Sequence, residues 1–317
     1  MTRSILATTA TAALAAGAAL TLGTPAALAD GHAACQEVVF SDVGWTDITT
    51  TTATAKHILE GLGYEVDVKV LSVPVTFSSL ESDDVDVFLG NWMPAQTSAI
   101  QPYLDSGEIE QVAVNLEGTI YTLATPKYAY DAGLKSFADI AKFADALDGK
   151  IYGIEPGNEG NAYLIGLTEQ DTHGLGALEV VESSEQGMLA QVRRAVEKEE
   201  PVVFLGWAPH PMNANFELEY LTGGEDFFGG EGVVHTTTRA GYVEECPNVG
   251  KLLQNMTFTL EMENGIMGRI LDDGEDADDA TLEWLQANPD VWKGWLDGVT
   301  TFEGEDGLAA VEAALAG

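Results

Sequence analysis

Apolar runs and segments of helical periodicity alternate along this 317-residue chain. A strand that starts at Val38 is followed by a predicted helix over 48–59, a strand over 64–71, a helix over 76–82 and a strand over 85–89. Because strand–helix–strand connections are right-handed and join parallel strands, this order predicts a parallel α/β sheet.

The pattern changes near residue 112, where two short strands are predicted at 112–116 and 119–124, and a second α/β series then begins at residue 150. The predicted elements of that series are a strand (150–154), a helix (161–168), a strand (178–182), a helix (185–199) and a strand (202–205). A β-like segment over 233–243 leads into a mostly helical C-terminal part. The chain therefore predicts two α/β lobes joined by two crossovers, residues 30–118 plus 234–317 forming lobe 1 and residues 119–233 forming lobe 2.

The first 29 residues have the features of a secretory signal peptide. Arg3 precedes an Ala- and Leu-rich apolar run over 5–22, and Ala27-Leu28-Ala29 before Asp30 is a small-x-small cleavage site. We expect export to the periplasm and cleavage after Ala29. The alternative, a membrane anchor, is less favoured because threonines interrupt the run before it is long enough to span a bilayer.

The chain has two cysteines, Cys35 and Cys246. In an exported protein this count predicts one disulfide, which would place the start of the mature chain and its last third in one domain. Two unrelated buried thiols are the alternative.

The formal net charge is -37, from 51 acidic and 14 basic residues. This balance excludes nucleic acid as a partner, because phosphate contacts need a basic face. An acidic surface also concentrates cations, although most of this charge is expected to serve solubility or salt adaptation.

Four apolar runs stop at Gly or Pro beside an aromatic or amide side chain. They are VVFSDVGWTD (38–47), VDVFLGNWMP (85–94), IYGIEPGN (151–158) and VVFLGWAP (202–209). Ligands of open α/β sheets bind beyond the carboxyl ends of the strands, so these four ends are predicted to form one site.

Three tryptophans, Trp45, Trp92 and Trp207, lie at these strand ends, whereas the other three lie in the helical C-terminal part and are expected to pack in the core. A quaternary ammonium has no N–H to donate and binds well to aromatic faces. We therefore predict an aromatic box for a small organic cation. For any single tryptophan the alternative is core packing.

Two polar residues could complete the box. Asp47 could accept a ligand hydroxyl and add negative potential, or it could be a helix N-cap. Asn158 could face the ligand, or it could be a turn residue before a helix.

Enzyme motifs do not fit this sequence. The five histidines show no metal-ligand spacing, there is no Gly-x-Ser-x-Gly elbow, and Gly157-Asn158-Glu159-Gly160 lacks the pattern of a phosphate loop. We expect a binding protein without catalytic residues, metal or cofactor.

Six segments of the chain resemble a known family, the periplasmic choline-binding proteins of quaternary-amine ABC importers, which are substrate-binding proteins of the glycine betaine/choline-binding group. The segments are FSDVGWTDI (40–48), VFLGNWMP (87–94), YTLAT (121–125), YGIEPGN (152–158), ESSEQGML (182–189), and FLGW (204–207) with PHPMN (209–213). The resemblance runs through essentially the whole mature chain.

This resemblance implies a type II periplasmic-binding fold. The protein would be a monomer that closes on choline and delivers it to a membrane permease. The residues that would box the trimethylammonium are Trp45, Trp92, Tyr121 and Trp207, and those that would bind the hydroxyl end are Asp47 and Asn158. The family also supports a Cys35–Cys246 disulfide. Tyr121 enters through the resemblance alone, since it lies where the first crossover is predicted.

Other methylated amines remain as alternatives: glycine betaine, carnitine, acetylcholine and trimethylamine N-oxide. Asp47 argues against the ligands that carry a carboxylate, because no Arg or Lys accompanies the matched segments. An exported enzyme acting on a choline derivative is the less favoured hypothesis from another class.

Overall fold

The structure is a computed structural model, and it describes Met1 and residues 34–316. The strands are β1 (Glu37–Asp42), β2 (Glu65–Val70), β3 (Val87–Met93), β4 (Ile109–Pro126), β5 (Lys150–Tyr152), β6 (Glu179–Val181), β7 (Phe204–Ala208), β8 (Leu218–Tyr220) and β9 (Gly232–Arg239).

Helices cover much of the remaining chain. In chain order they are α1 (Thr46–Gly61), α2 (Val73–Glu81), α3 (Thr97–Ser106), α4 (Lys127–Asp131), α5 (Phe137–Ile140), α6 (Glu159–Glu169), α7 (Glu185–Glu197), α8 (Met212–Asn215), α9 (Glu225–Phe228), α10 (Tyr242–Glu245), α11 (Pro247–Asn255), α12 (Leu260–Leu271), α13 (Ala277–Ala287), α14 (Pro289–Trp292) and α15 (Gly307–Leu315). Three 3₁₀ segments accompany them: Ala141–Phe143, Thr172–Ala177 and Lys293–Leu296.

The strands form one mixed sheet in the order β2-β1-β3-β9-β4-β7-β5-β6, with β8 paired to β4. At one end β1 lies parallel to β2 and β3, and at the other β5 lies parallel to β6 and β7, as the alternating pattern predicts. The sequence pattern predicts no strand direction for the centre of the sheet, where β9 and β4 pair antiparallel with each other and with β3 and β7. The fold class, α/β, is confirmed.

Strand β4 runs unbroken through the region where two separate strands, 112–116 and 119–124, are predicted. Its first half pairs with β9 and its second half with β7 and β8. Gly118, at φ 76°, lies at a register shift between Glu117 and Thr119, so the strand bends there without ending. The predicted lobe boundary after residue 118 falls at this bend.

Several element limits also differ from the sequence pattern. Strand β3 continues to Met93, and β7 runs from Phe204 to Ala208. Trp92 and Trp207 therefore lie within the last residues of these strands and not beyond them. Helix α3 is not predicted, since Pro102 inside it conceals the helical pattern. The β-like segment predicted over 233–243 ends at Arg239.

The core of the first half lies on both sides of β1 and β3. Val38 and Phe40 on β1 and Phe88 on β3 are 0% exposed. Cys35 and Cys246 form a disulfide with Cα atoms 5.6 Å apart, which ties the chain just before β1 to the start of α11. The predicted disulfide is confirmed.

The predicted signal peptide lies, apart from Met1, outside the described residues. Within the part of the chain that the structure describes, none of the helices has the length and apolar character needed to cross a bilayer.

Candidate functional site

A cavity of about 350 Å³ opens where the ends of β3 and β7 and an inner part of β4 meet the N-termini of α1 and α6. The residues that line it are Trp45, Asp47, Trp92, Ala95, Gln96, Tyr121, Ile154, Asn158, Glu159 and Trp207. All six residues singled out in the sequence lie around this one cavity.

Trp45 and Trp92 come from neighbouring strands of the first half. After β1, Gly44 adopts φ 79°, a left-handed conformation that suits glycine, and the chain turns sharply there. Trp45 follows in extended conformation as the N-cap residue of α1, while Trp92 stands near the end of β3. Both indoles are at least 93% buried, with 7% and 6% exposure.

Tyr121 and Trp207 come from an antiparallel pair in the other half. They are direct partners in the register of β4 and β7, so their side chains lie next to each other on one face of the sheet. The Tyr121 ring meets Trp92 edge-on, with ring centroids 6.3 Å apart. The four aromatic side chains thus line one space from both halves of the molecule.

Tyr121 is the residue that the pattern of strand ends misses. It lies in the middle of β4 and not at a strand end, so the pattern used for the tryptophans cannot find it. The signal that could have found it is its pairing with Trp207. That register depends on β4 being one continuous strand.

Asp47 is buried at the floor of the cavity, with 1% exposure. Its Oδ2 accepts a hydrogen bond from Trp92 Nε1 at 3.1 Å, which fixes the indole against the carboxyl group. The alternative role as helix N-cap is wrong, because Asp47 is the second residue of α1 and Trp45 occupies the cap position.

Asn158 lies directly before a helix, as predicted for a turn residue, and it also lines the cavity. It is the N-cap of α6, where its Oδ1 accepts from Gly160 N at 2.8 Å. The same oxygen accepts from the Tyr121 hydroxyl at 3.0 Å. A Cβ on Gly160 would collide with that hydroxyl, so glycine at this position lets Tyr121 reach the helix N-terminus.

Three buried polar atoms on lining residues have no hydrogen-bond partner among the described residues. They are Asp47 Oδ1, Gln96 Nε2 and Trp207 Nε1. Since buried polar groups are nearly always hydrogen-bonded, a ligand or water in the cavity can supply partners for these three atoms. Nothing in the sequence pattern signals Gln96, which becomes part of the site because the chain turns back after β3.

Carboxyl groups dominate the electrostatics of the cavity. Burial, together with the nearby Glu185, raises the pKa of Asp47 to about 8. Burial, together with Glu155, raises the pKa of Glu159 to about 7. Glu263 behind Asp47 also has a pKa raised by burial and by the charge of Asp47.

No lysine, arginine or histidine lines the cavity among residues 34–316. The same part of the chain holds no group of three or more His, Cys, Asp or Glu side chains arranged to bind a metal ion. Aromatic faces and carboxyl groups together can hold an organic cation by cation–π contacts and Coulomb attraction.

Comparison with known proteins agrees with this chemistry. Residues 36–287 match the OpuAC family, described as the substrate binding domain of the ABC-type glycine betaine transport system. A solved structure of an ABC-transporter choline binding protein in complex with choline is 60% identical, with a TM-score of 0.87 over 89% of this chain and 99% of that one. An unliganded, semi-closed structure of an ABC-transporter choline binding protein is 61% identical, with a TM-score of 0.81 over the same shares.

A curated relative is more distant. The glycine betaine/carnitine transport binding protein GbuC of Listeria monocytogenes is 32% identical over 124 residues, which are 39% of this chain and 41% of that protein. The long family match and the close structural likeness confirm the resemblance stated from the sequence segments. The chain belongs to the family of substrate-binding domains of ABC-type glycine betaine transport systems, whose members are periplasmic binding proteins, and it has their fold.

Proposed function

We propose that this protein captures choline between two lobes and delivers it to the membrane permease of an ABC importer. The observation that carries the proposal is the cavity itself, in which four aromatic rings and two acidic side chains meet without a basic one among the described residues. The 60% identical choline complex supports the choice of ligand.

The energetics fit a binding protein. Each ring contributes roughly 0.5 to 2 kcal/mol to the binding of a desolvated cation, so four rings supply several kcal/mol. A micromolar dissociation constant requires about 8 kcal/mol. Burial of the methyl groups and a hydrogen bond from the ligand hydroxyl to Asp47 or Asn158 supply the rest.

Acidic side chains favour choline over glycine betaine. Asp47 and Glu159 line the cavity, and a bound ammonium group favours their ionised forms. A carboxylate on the same ligand would then meet like charge there without a cationic side chain to hold it. The same argument applies to carnitine. Acetylcholine and trimethylamine N-oxide carry no carboxylate, so the size and polarity of the cavity would have to reject them.

The two lobes of the proposal are residues 30–118 plus 234–317 and residues 119–233, which meet at β4 and β9. Trp45 Nε1 of the first lobe donates to Glu155 Oε2 of the second at 2.9 Å, a contact that a closed cleft can make. The higher TM-score against the choline complex than against the semi-closed structure also supports a closed form. X-ray scattering should give a smaller radius of gyration with choline than without it.

Export and the absence of catalysis are part of the same proposal. Residues 1–29 would direct the chain to the periplasm and be removed after Ala29. N-terminal sequencing of the periplasmic protein should then begin at Asp30. A cation held by ring faces and carboxyl groups meets no activated nucleophile in the proposed site.

Calorimetric titration of the purified protein with choline and glycine betaine side by side is the direct test. We expect stoichiometric binding of choline, weaker binding of betaine, and release of unchanged choline on denaturation, checked by mass spectrometry. If glycine betaine binds more tightly than choline, betaine and not choline is the ligand of this protein. Turnover of choline would overturn the assignment as a binding protein.

A further inference from the structure

Glu185 is a fully buried carboxylate that does not line the cavity. It is the first residue of α7, within the segment ESSEQGML (182–189), and its side chain is 0% exposed. A buried carboxylate is costly unless it is well hydrogen-bonded. Its partners therefore show what holds it there.

Two of its hydrogen bonds cross to the other half of the molecule. Glu185 Oε2 accepts from the backbone N–H of Thr46 at 2.8 Å, and Oε1 accepts from the Thr46 hydroxyl at 2.7 Å. Thr46 is the first residue of α1, and this helix has no side-chain cap of its own. Glu185 thus supplies the cap, and its negative charge lies at the positive end of the helix.

The third partner of Glu185 comes from its own half. Met212 N donates to His210 Nδ1 at 2.9 Å, so the ring proton is on Nε2, which donates to Glu185 Oε1 at 3.0 Å. The His210 ring in turn meets the Trp207 indole edge-on, with centroids 4.9 Å apart. Glu185 is therefore anchored in one half, next to a ring of the cavity, while it caps a helix of the other half.

The position of Thr46 links this contact to the ligand site. Thr46 lies between Trp45 and Asp47, which both line the cavity. A ligand that holds these two side chains also holds the backbone N–H that Glu185 binds. We infer that Glu185 is a positioning residue that couples occupation of the cavity to closure, because it caps α1 only when the two halves are together. This inference rests on the proposed function.

Repulsion between carboxylates explains why closure would need a bound cation. Closure brings Glu185 close to Asp42 and Asp47, and its charge adds to burial in raising the pKa of both carboxyl groups. A bound cation offsets this repulsion, whereas an empty closed cavity does not. The carboxylate at position 185 then favours the closed form most strongly when the cavity is occupied.

The test compares Glu185→Gln and Thr46→Val with the wild-type protein. Glutamine keeps an oxygen for His210 but places an NH2 group opposite the Thr46 N–H, and valine removes only the hydroxyl bond of Thr46. Choline dissociation is followed by stopped-flow tryptophan fluorescence, and melting temperature is measured with and without choline. We expect dissociation to be about tenfold faster in Glu185→Gln and a few-fold faster in Thr46→Val.

The melting temperature without choline should not change in either variant, because the crossing bonds are absent from the open protein. Glu182→Gln is the matched control, since Glu182 lies in the same segment and accepts from Asn161 Nδ2 within its own half at 3.1 Å. We expect wild-type dissociation for this control.

Two outcomes would overturn the inference. One is wild-type dissociation in Glu185→Gln, and the other is a lowered melting temperature without choline in Glu185→Gln together with wild-type dissociation in Thr46→Val. If Glu185→Gln changes both the choline dissociation rate and the melting temperature without choline, faster dissociation in Thr46→Val supports the coupling. Failure of wild-type protein to bind choline would instead refute the proposed function, so the two failures are distinguishable.

Discussion

The six tryptophans divide into two regions that use the same side chain differently. Trp45, Trp92 and Trp207 line the cavity, whereas Trp284, Trp292 and Trp295 pack among the C-terminal helices. Exposure does not separate them, since Trp207 and Trp295 are both 4% exposed.

The indole N–H groups show the difference. Trp292 Nε1 donates to the Leu285 carbonyl at 2.9 Å, seven residues away in the same helical region. The cavity tryptophans donate to carboxyl groups, Trp45 to Glu155 and Trp92 to Asp47, and Trp207 has no partner among the described residues. The Trp292 indole donates to a nearby backbone carbonyl, whereas two of the cavity indoles donate to carboxyl groups, one of which, Asp47, also lines the cavity. Mutations should therefore separate stability from binding.

Trp292→Ala should have the largest effect, and on stability alone. Removing a fully packed indole costs roughly 3 to 5 kcal/mol of unfolding free energy, because a cavity forms and the Leu285 carbonyl loses its donor. Urea denaturation measures this change. Choline affinity of the folded fraction should stay within about twofold of wild type; a large loss would mean that the C-terminal helices also shape the site.

Trp45→Ala, Trp92→Ala and Trp207→Ala should each weaken choline binding by roughly 1 to 3 kcal/mol, through lost cation attraction and lost apolar burial. Calorimetric titration measures the change. Wild-type choline affinity in any of the three variants would show that this ring does not contribute to binding.

Asp47→Asn should cost about 1 kcal/mol of choline affinity, because the amide keeps the shape but supplies a weaker acceptor and no charge. It should also narrow the ratio between choline and glycine betaine affinity, since the like charge that opposes the betaine carboxylate is gone. Titration of the variant with both ligands measures this ratio. An unchanged ratio would assign the discrimination to another residue, with Glu159 as the next candidate.

The smallest effect concerns pH. Burial raises the pKa of Asp47 to about 8 and that of Glu159 to about 7, so without a bound cation Asp47 is mostly protonated near neutral pH and Glu159 about half protonated. A bound cation favours the ionised forms and releases protons, so ionisation of Asp47 should raise choline affinity from pH 7 to pH 8 by no more than roughly fivefold, and that of Glu159 by no more than about twofold.

Titrations at both pH values, in two buffers of different ionisation enthalpy, count the protons released. Asp47→Asn should show less release. A flat affinity with no proton release would mean that these carboxyl groups are already ionised in the free protein.

The sequence pattern predicts a large part of this site for a simple reason. A glycine-bounded apolar run with an aromatic at its end is a local feature, and parallel strands bring such ends to one edge of a sheet. This pattern predicts Trp45, Trp92, Trp207 and Asn158 as site residues, and the structure places them around one cavity. Tyr121 is implied only by the family resemblance.

Contacts between distant strands and helices were not predictable from local patterns. The pairing of Tyr121 with Trp207 needs the antiparallel register of β4 and β7. The cap on α1 comes from Glu185, 139 residues further along the chain. Neither partner leaves a periodic signal near the residue that it contacts.

By itself the sequence determined the α/β class, the single disulfide and the acidic, aromatic character of the site, because burial periodicity, cysteine count and residue chemistry are properties of the chain. Three features become visible only in the folded protein: the centre of the sheet is antiparallel, Gln96 and Glu159 join the cavity, and Glu185 caps α1. These features depend on which surfaces meet after folding, and hydrogen bonds between segments far apart in the chain are chosen by packing and register, not by local propensity.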